Sequence, residues 1–597
     1  MATAAATRTR LRPRSVPWPA ALATVAGLAT LVAALAVVAF LVEGVYSGPV
    51  DWLRLLTSSV WYPAGAGFGA AAMVWGTIAV CAIALLIATP LGWAAAIGLT
   101  ELTPGRAARV LRTGVELLAA IPSIVYGLVG IAVLRPAVSA VFGTQGGDGL
   151  LTAGLVLAVM VLPTVVAVSV DALAAVPAEN REAAAALGLT RTEVIRSAVL
   201  PEARSGMRAG VLLGLARALG ETIAVFLVIG RADGRLPAPL DALGALVHPG
   251  QTLSTKLGGP EPVLAGGAGA HHAALSALGL LLFALVAAIT VAGLRSSRWT
   301  DRRVGHRQLR PRLCPRPRGR RIRDRVAVLA LRSAVVVPLL LVAGVLGVLA
   351  VRGAAGWHPQ FWLQPATGAS GGGVRDQVLG TVVLVAGTAM LAAPVGLGLG
   401  LLIAEYAGPR AARALRTATV TLGGVPSILL GLVAYDLVVR TLGWGKSWVA
   451  GVLALTVLVV PVAATVTATR LAALPHTRRE AALALGLDRA QLARSVLVPW
   501  AAPGLLTGTL LGLARAAGET APLLFAATVF AGAAGLPAGI TDTPVVALPT
   551  HVFALAQDAA DPVALDAAWG AALVLVLLAA LLLLAAIPAR RRMEAHQ

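Results

Sequence analysis

GVLLGLARALGET, from Gly210 to Thr222, and GTLLGLARAAGET, from Gly508 to Thr520, are two copies of one stretch, with eleven of thirteen positions identical. Each lies inside a long apolar run, and each carries one arginine and one glutamate: Arg217 with Glu221, and Arg515 with Glu519. The spacing is i, i+4, which on a continuous helix puts both side chains on one face. A charge held at membrane depth is costly, so its presence marks function before structure. Two such turns at matching places in a duplicated chain point to one site shared by two halves.

Composition supports the membrane setting. Of 597 residues, 58% are hydrophobic and only 13% charged, too apolar for a soluble protein of this size. The net charge of +21 comes almost wholly from arginine, since Lys256 and Lys446 are the only lysines. The arginines cluster in short segments between apolar spans, which disfavours a nucleic-acid reading and fits the positive-inside pattern. Cys81 lies in an apolar span and Cys314 in a basic loop, so no disulfide framework is implied.

Twelve spans are expected, near 19–42, 70–98, 113–134, 149–173, 206–229 and 272–294 in the first half, and near 326–351, 379–403, 417–440, 447–469, 504–531 and 568–588 in the second. The first is read as a retained helix, because a cleaved signal has a shorter apolar core. Alternate loops are basic. They hold Arg8, Arg10, Arg12 and Arg14; Arg106, Arg109 and Arg112; Arg181, Arg191, Arg196 and Arg204; Arg410, Arg413 and Arg416; Arg478, Arg479, Arg489 and Arg494; and Arg590, Arg591 and Arg592. The most basic, 295–325, has thirteen arginines against Asp301 and Asp324. This places both termini in the cytoplasm.

The halves repeat. Pro90 matches Pro394, Glu101 matches Glu405, and Pro122-Ser123-Ile124 matches Pro426-Ser427-Ile428. After a shorter loop, Pro163 matches Pro461, Glu182 matches Glu480, Gly188 matches Gly486 and Pro201 matches Pro499. Six spans per repeat is an even number, so the repeats insert in parallel about an axis along the membrane normal. The fold class is therefore all-α, with halves at 1–294 and 326–597 joined by a flexible basic tether, 295–325.

Two cytoplasmic loops carry a second signal. ENREAAAALGLTRTEVIRSAVLP (Glu179–Pro201) and TRREAALALGLDRAQLARSVLVP (Thr477–Pro499) both fit the EAA pattern of ATP-binding-cassette (ABC) importer permeases. The pattern falls on Glu182, Ala183, Ala184 and Gly188, and on Glu480, Ala481, Ala482 and Gly486. The alanines favour a short helix, the glycine ends it, and a second helix follows. A small-faced helix of this kind fits a groove on a cytoplasmic partner. An ATPase is not read in this chain: a phosphate-cradling loop needs G-x-x-x-x-G-K-[ST], and Gly445-Lys446-Ser447 is preceded by Arg440 where the first glycine belongs.

These loops, the charged turns, and IPSIVYGL (Ile121–Leu128) with VPSILLGL (Val425–Leu432) together resemble the phosphate-specific (Pst) ABC-importer permeases. The first half resembles the PstC-type subunit and the second the PstA-type, as in a fusion of the two. The resemblance implies the type I importer permease (MetI-like) fold and two copies of a PstB-like cytoplasmic ATPase. It also implies a PstS-like extracytoplasmic phosphate-binding protein, a cell-membrane location, no cofactor, and no enzymatic activity in this chain. It makes Arg217, Glu221, Arg515 and Glu519 candidates for the translocation path.

The residues themselves agree. If the fifth span enters the membrane near Gly206, Arg217 lies about 16 Å deep at 1.5 Å per residue, near the midplane. Planar bidentate donors suit an oxyanion. The plainer alternative is that each arginine only neutralises its own glutamate; the two readings are compatible. Ser123 and Ser427 follow prolines at mid-span, and either line the path or satisfy the kink. Glu101 and Glu405 are expected to pair at the interface near Arg106 and Arg410. His271 and His272 are expected to be solvated loop residues. Still open are a permease for another oxyanion, such as sulfate or molybdate, and an ion-driven secondary transporter.

Overall fold

The computed structural model describes residues 18–237 (apart from 104, 106, 109, 110, 113 and 116–120), 244–301, 317–367, 371–529 and 535–594. The basic N-terminal tail, Arg106, Arg109, and the linker positions 302–316 with Cys314 lie outside the described residues.

The first half comprises α1 (Trp18–Tyr46), α2 (Ala71–Ile97), α3 (Ser123–Phe142), α4 (Leu150–Ala174), α5 (Leu200–Gly220) and α6 (Ala270–Asp301). The second comprises α7 (Pro317–Ala355), α8 (Arg375–Leu401), α9 (Pro409–Gly423), α10 (Ser427–Thr441), α11 (Trp448–Ala472), α12 (Val498–Ala517) and α13 (Pro562–Glu594). Strand content among the described residues is two small hairpins, Trp61–Tyr62 with Gly67–Phe68 and Ala366–Thr367 with Gly371–Gly372.

The structure is all-α, but two pairs of the expected spans are not continuous. Ten described helices are long and apolar enough to cross a membrane, or eleven if α9 and α10 are one bent span. The helix at the place of the fifth span, α5, carries Glu202, Arg204, Arg208 and Arg217 and is less apolar. The third spans break at proline: Pro122 (φ −55, ψ 140) and Pro426 (φ −54, ψ 130) are extended, and α9 meets α10 at 91°. Proline supplies no N–H to continue a helix, and its ring crowds the preceding turn. The fifth spans break at the charged turns described below.

Within each half, α4 packs against α2 and α5, and α6 closes on α5; α11, α8, α12 and α13 repeat the arrangement. The contacts are close because glycines lie at the seams. A Cβ at Gly214 would stand 2.8 Å from Val161, and one at Gly512 the same distance from Val459. Gly210-x-x-x-Gly214 and Gly508-x-x-x-Gly512 are thus the small-residue seams on which these helices meet. Lipid tails are as apolar as leucine, so close van der Waals contact, rather than removal from water, holds such helices together.

The halves clasp each other. Helix α1 packs on α8 of the second half and on its own α6, while α7 packs on α2 of the first half and on its own α13. Helix α6 continues to Asp301 and α7 begins at Pro317, so both helices extend into the basic stretch 295–325. Near that start, Asp324 Oδ1 accepts from the Thr192 amide (3.0 Å) and hydroxyl (2.6 Å), tying α7 to the first EAA loop.

Candidate functional site

Arg217 lies in the last turn of α5, and Arg515 in the last turn of α12. Neither helix continues to its glutamate. Glu221 takes extended backbone (φ −76, ψ 127), and α12 gives way at Gly518. Short helices, Ile223–Phe226 and Ala521–Ala526, follow each break. The arginine and glutamate therefore flank a break instead of sharing one helical face.

The two pairs differ despite near-identical sequence. Arg515 Nε lies 3.5 Å from Glu519 Oε1, with the arginine side chain 51% exposed. In the first half the pair does not close. Arg217 Nη1 donates to the Thr164 hydroxyl on α4 at 3.2 Å. Glu221 Oε1 accepts from the Ala224 amide at 3.3 Å, capping the next short helix. Ser254 donates to the Glu221 carbonyl at 2.8 Å from the outer side.

The breaks meet across the two halves. A Cβ at Gly220 would stand 3.5 Å from Pro426, and one at Gly518 would stand 2.7 Å from Pro122. Each charged turn therefore packs on the Pro-Ser turn of the other half. Arg217 lies within electrostatic reach of Arg515, Tyr126, Glu221 and Glu519. Arg217, Glu221, Ser123 and Ser427 are enclosed by protein yet keep partial solvent access. Two guanidiniums at such range repel, and an oxyanion between them removes that repulsion while accepting their N–H donors.

The EAA loops form matched helices, Ala178–Ala186 and His476–Ala484. Gly188 (φ +75) and Gly486 (φ +78) end them in the left-handed region that favours glycine. The following helices start with capping boxes, Thr190 with Glu193 and Asp488 with Gln491. Ala184 and Ala482 turn inward, whereas Glu182, Ala183, Glu480 and Ala481 face solvent. Leu187 and Leu485 are also exposed, at 60% and 82%. The same apolar tip is thus exposed in both halves.

Glu101 and Glu405 depart from expectation. Their partners are Arg181 and Arg479 of the EAA helices, with Arg479 in place of Arg410; Arg106 lies outside the described residues. The histidines also differ: His271 bonds Glu261 at 3.1 Å and His272 is buried. They begin α6 beside a buried Lys256, which pairs with Asp233 (2.8 Å) and Glu261 (2.5 Å). Lys446 donates to the carbonyls of Leu524 (3.0 Å) and Thr528 (3.3 Å), and Ser447 caps α11. Among the described residues no cluster of His, Cys, Asp and Glu could hold a metal ion. Thr164 and Tyr126 escape sequence reading. Thr164 has valine, Val462, as its repeat counterpart, so comparing the halves hides it, and Tyr126 reads as one more apolar position of α3.

A break-flanked pair of charges in each of two clasped, parallel helical halves, with matched contact loops at one end, defines a membrane transport permease. Residues 88–306 and 396–593 both match the binding-protein-dependent transport system inner membrane component family, and the chain belongs to that family. It is 41% identical over 209 residues to a probable ABC transporter permease protein, YqgH, of Bacillus subtilis, covering 35% of this chain and 66% of the relative. It is 40% identical over 249 residues to the phosphate transport system permease protein PstC of Mesorhizobium japonicum, covering 38% and 73%. It is 36% identical over 255 residues to PstC of Haemophilus influenzae, covering 40% and 78%. Each relative thus spans about the length of one half, and the duplicated chain fits a PstC–PstA-like fusion. No solved structure matches the chain.

Proposed function

We propose that this chain is the complete membrane pathway of an ATP-driven importer that moves inorganic phosphate into the cytoplasm. The observation that carries the reading is the reciprocal packing of Gly220 on Pro426 and Gly518 on Pro122, which gathers both charged turns where the halves meet. Arg217 and Arg515 supply the anion's donors. Glu221, Glu519, Ser123 and Ser427 line the same passage. Residues 1–294 act as the PstC-like half and 326–597 as the PstA-like half, joined by the basic segment 295–325. The chain lies in the inner membrane with both termini in the cytoplasm, where the basic loops fall. Two copies of a PstB-like ATPase dock on the loops containing Glu182, Ala183, Ala184 and Gly188, and Glu480, Ala481, Ala482 and Gly486. A PstS-like binding protein delivers phosphate from outside. The relatives' names and the two arginines support phosphate.

The test is uptake of labelled phosphate into vesicles holding this chain with its ATPase and binding protein. Uptake should require ATP and survive an uncoupler. Uptake without ATP that an uncoupler abolishes would move the chain to the ion-driven class. ATP-driven uptake of sulfate or molybdate in place of phosphate would change the substrate.

A further inference from the structure

Each EAA helix is tied to the membrane helices by one arginine, and both halves build the tie alike. Arg181 Nη2 lies 2.9 Å from Glu101 Oε1, with Nε at 3.2 Å from the same oxygen. The guanidinium also donates to the carbonyls of Leu173 (2.7 Å) and Val176, at the end of α4. Arg479 Nη2 lies 2.5 Å from Glu405 Oε1, with Nη1 at 3.3 Å from Oε2. It donates to the carbonyl of Leu471 at 3.1 Å, at the end of α11. The carboxylates are 10% and 14% exposed and the arginines 26% and 23%, so both pairs are half-sheltered from water. Both glutamates sit in π-turns that finish the second helix of their half, Gly98–Leu102 and Leu402–Tyr406. Such turns are uncommon and recur at working positions.

Three elements meet at each guanidinium: the end of α2 or α8, the end of α4 or α11, and the EAA helix. Arg is suited to this, since its planar fork serves a carboxylate and helix-end carbonyls at once. The next residue of the EAA helix, Glu182 or Glu480, turns about 100° away and faces solvent. One face of the helix is open to a partner while the other is fastened to two spans. In the first half, α4 continues from the fastened end to Thr164, which holds Arg217.

We propose that Glu101–Arg181 and Glu405–Arg479 are the joints that pass movement of docked ATPases to the anion pathway. They are positioning residues and touch neither nucleotide nor anion. The proposal rests on the reading that ATPases dock on these loops. Without the carboxylate, the EAA helix still folds and presents its outer face, but its displacement no longer carries α2 and α8 with it.

The experiment uses the full chain reconstituted with its ATPase and binding protein. It measures co-purified ATPase, ATP hydrolysis, and phosphate taken up per ATP. Glu101→Gln with Glu405→Gln should keep the ATPase bound and hydrolysis running, while uptake per ATP falls roughly tenfold, a usual size for coupling between sites. Exchanging the charges, Glu101→Arg with Arg181→Glu, should restore part of the ratio lost in Glu101→Gln. If the Gln variants fail to assemble, Glu101→Asp with Glu405→Asp, which keeps the charge but shortens the reach, should show the same fall. An unchanged ratio overturns the proposal. So does a parallel fall of complex, hydrolysis and uptake that persists in the Asp variants, which is what a merely structural tie produces. If the unaltered chain neither retains the ATPase nor shows ATP-driven uptake, the functional reading fails, and the joints fail with it.

Discussion

Arg217 and Arg515 would attract any oxyanion, so they cannot by themselves select phosphate. Near neutral pH phosphate keeps at least one hydroxyl donor, and sulfate has none. A carboxylate at the site can accept that hydrogen bond, but against sulfate it stands unpaired and like-charged. Arg217→Ala or Arg515→Ala should therefore lower phosphate uptake by roughly tenfold or more, the scale of removing one partner from an enclosed charge cluster. Glu221→Gln and Glu519→Gln should reduce uptake less and narrow the phosphate-over-sulfate ratio. A binding protein of the proposed kind would filter substrate first, so the measurement uses permease and ATPase alone, with substrate at high concentration. An unchanged ratio in both Gln variants would leave the glutamates as charge-balancing partners. The asymmetry of the site sharpens this: Glu221 bonds the Ala224 amide whereas Glu519 faces Arg515, so the two substitutions should differ in size.

At the scale of elements, the EAA loops turn on Gly188 and Gly486. Proline cannot reach φ near +75°, so Gly188→Pro or Gly486→Pro should unwind the end of the EAA helix and uncouple transport, with the chain still inserted. A Cβ at either glycine meets nothing within 4 Å, so Gly188→Ala should add only the left-handed strain, about 1–2 kcal/mol, and leave most of the transport. If both proline variants transport normally and still co-purify with the ATPase, the docking assignment is wrong. The helix, glycine turn and second helix of these loops were legible in the sequence, because alanine, glycine and capping residues act locally. The π-turns were not. They recur at matching places, Gly98–Leu102 with Leu402–Tyr406, Gly130–Leu134 with Tyr435–Thr441, and Ile195–Val199 with Ala493–Leu497. A π-turn adds about one residue to an otherwise continuous helix, and neither hydropathy nor charge records that.

For the whole molecule, the exchange of first helices matters most. Because α1 lies on α8 and α7 on α2, each half supplies surface that the other needs. The linker then serves mainly to raise the effective concentration of one half for the other. Cutting within 302–316 and co-expressing the pieces should preserve uptake, since Asp324 stays on the second piece and still bonds Thr192 of the first. Complete loss of uptake with both pieces normally expressed would give the linker a further role. The sequence by itself determined the duplication, the apolar spans, the basic alternate loops and the two charged turns. Hydropathy, charge and identity between the halves are properties of the chain alone. It also marked Pro122 and Pro426, but not that the second half bends by a right angle at Pro426, nor that each proline seats against the other half's glycine. Only the tertiary structure decided that the helices stop between arginine and glutamate, that Arg217 turns to Thr164 while Arg515 turns to Glu519, and that Glu101 and Glu405 are held by the EAA arginines. The reason is physical: where an ionic side chain in a helical bundle finds its partners depends on packing between segments far apart in the chain, and local spacing carries no record of it.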